Sequence, residues 1–166
     1  MEHTAKKLHL GCADKIIPGF INVDVRDLPG VDVVADARKL DMFENGSVDL
    51  MYACHILEHF PRPKTFPTIL EWNRVLKPGG VLRIAVPDWD ATVEAYRRTG
   101  DYENLLNWIY GGREYGENVH YRQFSFNGLK TLLIEAAKGN RFEGNTITVT
   151  ITFTNTLNHT SQTLFM

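Results

Sequence analysis

The sequence predicts a single α/β domain with a mostly parallel sheet and helices on both faces. Three observations carry that expectation. Apolar runs of strand length alternate with segments of helical period through most of the chain. Several of those runs are almost continuously apolar, as strands covered on both faces must be. The 166 residues, 43% of them apolar and 23% charged, are enough for one domain with a sizeable core.

Strands are expected at 7–10, 20–25, 31–35, 48–53 and 81–86. Phe66, Ile69, Leu70, Asn73 and Leu76 make a stripe at i, i+3, i+4 spacing and predict a helix after the fourth strand. Pro78 with Gly79 and Gly80 then forces a tight turn into the fifth strand. Asp88 can cap a helix that runs to Thr99 and stops at Gly100. Asp101 opens another, carrying Leu105, Leu106 and Ile109 to the stop at Gly111 and Gly112. Ser125 can cap a fourth, with Leu129, Leu132, Leu133 and Ala136 on one face.

The tail differs in character. Residues 144–166 contain no Asp, Glu, Lys or Arg. Thr146, Thr148, Thr150, Thr152 and Thr154 alternate with Ile147, Val149, Ile151 and Phe153, the period-two pattern of a strand with one polar face. No second strand of comparable quality comes after it. The tail (144–166) is therefore expected to complete the same domain as 1–143 with one strand rather than a pair. That strand would lie on an exposed edge, which invites a homodimer through edge pairing.

Composition narrows the partners. Lysine and arginine total 18 against 20 acids, with no long block of either sign, which argues against a nucleic-acid partner. No apolar run approaches the roughly 20 residues of a membrane span. The first residues are polar and pass straight into a strand-like segment without a signal-peptide core, so a cytoplasmic protein is expected. Cys12 and Cys54 lack metal-ligand spacing and read as reduced, partly buried thiols.

Ligands of open α/β sheets bind at the carboxyl ends of the strands. Gly11 ends the first strand, where a residue without a Cβ lets the backbone approach a ligand. Asp24 ends the second, where a carboxylate can accept from both hydroxyls of a ribose. Asp36 ends the third and can either accept from an adenine amine or cap the next segment of chain. Asp24 lies 13 residues after Gly11, less than the about 20 of dinucleotide folds, so the first crossover helix is expected to be a turn or two long.

In order, the chain reads LGCADK, GFINVD, VVADARKL, CHILEHF, EWNRVLKPGG and LRIAVPD. This run, over about residues 7 to 137, resembles the small bacterial members of the class I S-adenosylmethionine (SAM)-dependent methyltransferase superfamily, which have a Rossmann-like fold. The resemblance implies that Gly11 and Cys12 lie toward the methionine part of SAM, that Asp24 holds the ribose, that Asp36 and Ala37 line the adenine, and that Cys54 and His55 approach the sulfonium. Asp14, Val25 and His59 are expected among the cofactor-binding residues. Ala13 departs from the family's pattern, which has glycine there. The superfamily normally ends with an antiparallel strand pair, and the tail departs from it after Lys138.

The stretch from His55 to His59 also matches the H-x-x-E-H pattern of inverted zinc peptidases. That site needs a continuous helix, and Pro61 and Pro63 come at once after it, so no metal is expected there. Methyl transfer asks the protein mainly to align the nucleophile with the methyl group. A hydroxyl acceptor would also want a base, for which His55, His120 and Asp88 are candidates, with His59 beside them. Residues 88–125, rich in aromatic side chains, are the expected acceptor cover. No Asn-Pro-Pro-aromatic motif comes after the fourth strand, which argues against nucleobase amines. A small-molecule or saccharide hydroxyl is the expected acceptor. A SAM-binding domain without turnover is the alternative, and a nicotinamide oxidoreductase is disfavoured because the first turn has one glycine where three are needed.

Overall fold

The computed structural model describes residues 5–138, 148–154 and 159–165. Seven strands form one sheet in the order β3-β2-β1-β4-β5-β6-β7. They are β1 (Lys7–Leu10), β2 (Ile21–Asp24), β3 (Val33–Val34), β4 (Val48–Cys54), β5 (Leu76–Pro87), β6 (Thr148–Thr154) and β7 (His159–Phe165). Every neighbouring pair from β3 across to β6 is parallel, and β7 runs antiparallel to β6. The helices are α1 (Arg62–Val75), α2 (Trp89–Thr99), α3 (Leu106–Tyr110) and α4 (Phe126–Lys138). Among the described residues no helix is long and apolar enough to cross a membrane.

The core is set by the register. Leu8, Met51, Leu82 and Val149 form one row across the sheet, and Leu10, Ala53, Ile84 and Ile151 the next. All eight are buried, together with Trp72 of α1 and Leu129 and Leu133 of α4. Burying each large apolar side chain contributes about 1.5–3 kcal/mol. Between those rows, the residues of the opposite face run His9, Tyr52, Arg83 and Thr150, a polar line across the sheet.

Several helix signals hold. Asp88 accepts from the Ala91 N–H at 3.0 Å and caps α2, and Gly100 ends it in the left-handed conformation at φ 66°. The Ser125 hydroxyl accepts from the Gly128 N–H at 3.3 Å at the start of α4. Asp101 accepts from the Asn104 N–H at 3.2 Å beside a single 3-10 turn (Glu103–Leu105), after which the short α3 ends at Gly111. Pro63 sits in the first turn of α1, where a missing N–H costs nothing, so the prolines begin this helix and separate it from the preceding 3-10 turn (Leu57–His59).

Three expectations are corrected. No helix lies in the first crossover, because residues 11–20 form turns. The Asn22 side chain holds that loop instead, accepting from the Ile17 N–H and donating to the Ile17 and Phe20 carbonyls and to Asp32. The third strand shrinks to two residues. The terminal strand pair is complete: β7 pairs with β6 from Thr148↔Phe165 to Thr154↔His159. Its sequence, HTSQTLF, is mostly polar and gives little apolar alternation to read. β6 is consequently interior to the sheet, so the edge on which edge pairing was expected is already filled. The first two residues of the expected strand, 146 and 147, lie outside the described residues.

Candidate functional site

Two cavities open at the carboxyl ends of β1, β2 and β4, and they share Gly11, Ala13, His55, His59 and Tyr115. The smaller, of about 290 Å³, is also lined by Asp24, Val25, Asp36, Ala37 and Phe60. The larger, of about 740 Å³, adds Cys12, Cys54, Tyr52, Trp108 and His120. The arrangement is a two-part cleft with its waist at the first turn.

The waist is built by backbone geometry. Gly11 and Cys12 both donate their N–H to the Val23 carbonyl, at 2.8 and 3.1 Å, which folds the turn onto β2. Gly11 has φ 64°, and a Cβ there would lie 2.6 Å from Ile56 Cδ1. Glycine is required on both counts. Ala13 also adopts a left-handed conformation, φ 47°, without glycine's freedom. Its N–H donates to Asp24 Oδ2 at 2.8 Å, so the carboxylate of the second strand fixes the turn of the first.

Asp24 and Asp36 share one local design. Each carboxylate accepts from the backbone N–H two residues on, Arg26 or Arg38, at 2.9 Å. Each also accepts from that arginine's guanidinium. Asp24 is buried, and its Oδ2 keeps a lone pair beyond the Ala13 bond. Asp36 is half-exposed, and Arg38 occupies both of its oxygens, which holds its carboxyl below the usual range. The Arg38 guanidinium also lies over the Phe60 ring, 5.6 Å from its centroid. Ala37 is positioned by Trp72, whose indole N–H donates to the Ala37 carbonyl at 2.8 Å.

At the other end, His55 sits at φ 51°, just outside the 3-10 turn. Its Nδ1 faces Glu58 Oε1 and its Nε2 faces the Thr154 hydroxyl, both at 3.0 Å, so neither nitrogen is spare. His59 and His120 meet edge to face with centroids 4.9 Å apart. Nδ1 of His59 donates to the Val119 carbonyl at 3.1 Å, and Nδ1 of His120 to the Trp108 carbonyl at 3.0 Å. Burial pulls His120 below the usual histidine range, partly offset by the Glu58 charge. Burial raises the Cys12 and Cys54 thiols, which keeps both protonated at neutral pH. It also pushes Tyr52 up to about 12.

The cover comes from residues 107–121. Gly111, at φ 80°, lets the Asn118 carbonyl approach to 2.6 Å from where a Cβ would stand, and Tyr121 N–H donates to the Glu58 carbonyl. Tyr115 closes the smaller cavity, with the Arg26 guanidinium 4.1 Å from its ring centroid. The α2 part of the expected cover lines neither cavity.

Most of the expected residues meet here, with two exceptions. Asp14 is exposed and paired with Lys15 at 3.1 Å, because the turn directs it to solvent. Asp88 is committed to capping α2. The H-x-x-E-H stretch is not helical, since His55 precedes the 3-10 turn with its backbone left-handed, so the peptidase arrangement is absent. Tyr115 belongs to the expected cover and Glu58 to the H-x-x-E-H stretch, whereas Arg26, Arg38 and Phe60 were not foreseen. The repeated Asp-x-Arg at 24–26 and 36–38 is the signal that points to the two arginines.

The family model described as "Methyltransferase domain" matches residues 15–84. That stretch holds β2 to β4, α1 and most of β5, and with them Asp24, Asp36 and His55. Residues 15–84, less than half of the chain, are thus similar to a methyltransferase domain. In fold the chain is similar to the crystal structure of a SAM-dependent methyltransferase from Archaeoglobus fulgidus, with a TM-score of 0.58 and 16% identity, covering 90% of this chain and 65% of that one. It is also 37% identical over 71 residues to an uncharacterized 37.1 kDa protein in transposon TN4556 of Streptomyces fradiae. The match takes in 42% of this chain and 20% of that relative, so this chain spans only part of the proteins it resembles.

Proposed function

We propose that the protein is a SAM-dependent methyltransferase acting on a hydroxyl of a small molecule or saccharide. The observation that carries the reading is the two-part cleft. One lobe holds two carboxylates at consecutive strand ends, the other holds aromatic and histidine side chains, and a glycine turn lies between them. The residues fit a nucleoside at the first lobe: Asp24 Oδ2 has capacity for a ribose hydroxyl, and Ala37 and Phe60 offer an apolar wall for a base. Asp36 can meet an adenine amine only once the half-exposed Arg38 side chain swings away. When bound, SAM supplies the electrophilic methyl group.

The chain's own work is alignment and closure. The turn at Gly11 and Ala13 sets the waist, and Tyr115 covers the nucleoside lobe and sheds water from it. His55 is fully hydrogen-bonded and acts in positioning. The nitrogens left to meet an acceptor's hydroxyl are Nε2 of His59 and of His120. The reading expects a cytosolic protein without a nucleic-acid or membrane partner.

Arg38 on Asp36 and the left-handed Ala13 favour a second reading, a domain that binds SAM weakly and transfers nothing. Calorimetric titration with S-adenosylhomocysteine (SAH), with NADH as control, tests the cofactor. One-to-one micromolar binding of SAH alone supports the proposal, and no binding to folded protein sinks it. Binding without methyl transfer to any hydroxyl acceptor of a broad panel would favour the second reading.

A further inference from the structure

We infer that Glu58, His59 and His120 form a binding site for a divalent cation of the zinc type on the wall of the larger cavity. Each offers one ligand atom, and these atoms lie within 4.8 Å of one another. Two histidines with one carboxylate, leaving positions open, are a recurrent donor set for such ions.

The hydrogen bonds around the cluster leave little else for these atoms to do. A backbone carbonyl can only accept, so Val119 and Trp108 fix the proton of each ring on Nδ1. The lone pair of each imidazole is therefore on Nε2. Orientation of a ligand ring through its other nitrogen is the usual support of a metal-binding histidine. Glu58 is completely buried. Its Oε1 faces His55, and its Oε2 has no hydrogen-bond partner among the described residues. An unpartnered buried carboxylate oxygen is strongly unfavourable unless a charge or donor meets it. With both rings neutral, two imidazole lone pairs and a carboxylate oxygen are three acceptors that cannot satisfy one another. A cation between them satisfies all three.

The geometry asks for a small closure. Ligands about 2.1 Å from a four-coordinate ion stand about 3.4 Å apart, so donors now within 4.8 Å of one another would have to draw together by side-chain rotation. His59 and His120 line the larger cavity, so the fourth position would open toward it. If the protein is a methyltransferase, the ion would take the place of the two Nε2 atoms in meeting the acceptor's oxygen and would lower its hydroxyl pKa. Binding of the ion does not depend on that reading. His120 arrives from the cover, whose Tyr121 N–H also bonds Glu58, so the ion would tie the cover to the sheet.

The test is calorimetric titration of the metal-stripped full chain with Zn²⁺, repeated with Co²⁺ for its visible spectrum, in the absence of SAM and SAH. One ion per chain at micromolar affinity or tighter is expected, with the intense Co²⁺ absorption of a four-coordinate site. His120→Ala and Glu58→Gln should each weaken binding about a hundredfold, and His55→Ala about tenfold, as an outer partner does. Because the Glu58 variant risks misfolding, imidazole ¹⁵N spectra of the unmodified chain give a second readout. Zn²⁺ should shift the Nε2 resonances of His59 and His120 while Nδ1 stays protonated. Absence of stoichiometric binding overturns the proposal. So does unchanged affinity in a folded His120→Ala variant, or an Nε2 signal that Zn²⁺ leaves alone. SAH affinity measured separately reports on the methyltransferase reading, so either proposal can fail without the other.

Discussion

The Asp24 carboxylate accepts a hydrogen bond from the Ala13 backbone N–H at 2.8 Å, which joins the end of the second strand to the turn after the first. The carboxylate proposed to hold the ribose therefore also shapes the turn proposed to lie toward the methionine part of SAM. Asp24→Asn keeps the size but can present an N–H to the Ala13 N–H. Loss of the acceptor should weaken SAH binding about tenfold to a hundredfold, by calorimetry. Affinity equal to the unmodified chain would remove Asp24 from the site.

Gly11 and Ala13 make opposite predictions. Gly11→Ala meets Ile56 and a left-handed backbone, so it should destabilise the fold by about 1–3 kcal/mol in urea unfolding. Ala13→Gly relieves a left-handed alanine and should be neutral to stabilising, by up to about 1 kcal/mol.

His9 links stability to pH. It is buried against Tyr52, with ring centroids 5.3 Å apart, and its Nδ1 meets Asn22 Oδ1. Burial lowers its pKa, which the Asn22 bond and the Asp24 charge only partly offset. The unfolded chain thus takes up this proton first as pH falls through about 6.5, and stability drops below that pH and is level above it. Urea unfolding at pH 7.5 and 5.5 should show a smaller drop for His9→Gln than for the unmodified chain. Equal drops would mean that His9 does not resist protonation.

Arg74 fastens the chain before β4 to α1. It pairs with Glu71 at 2.7 Å and donates to the Leu40 and Phe43 carbonyls and to Asn45. Glu71 in turn accepts from the Leu40 N–H at 2.8 Å. Lysine cannot reproduce that fork, so Arg74→Lys should cost about 1–3 kcal/mol in thermal or urea unfolding. Lys39→Ala, which removes an exposed pair with Asp41, should cost less than about 0.5 kcal/mol.

The elements that the sequence made legible are those with a local cause. The Asp88 cap, the Gly100 stop and the buried rows of β1, β4 and β5 are set by residues close in sequence. So is the succession Gly11, Asp24, Asp36 at strand ends. The features that stayed hidden depend on distant partners. Asn22 replaces a crossover helix with hydrogen bonds to a loop, which no periodicity signals. β7 reads as polar because an edge strand can be held by its neighbour's backbone. Three helices and a strand separate His120 from His59 in the chain, and only the fold brings the two rings and Glu58 together.

The position of the nucleoside is the central claim, and a crystal structure of the chain grown with saturating SAH tests it directly. Adenosine is predicted in the smaller lobe, its ribose on Asp24, its base between Ala37 and Phe60, and Arg38 turned off Asp36. SAH bound elsewhere, or the lobe empty with the Asp36–Arg38 pair intact, would contradict that claim.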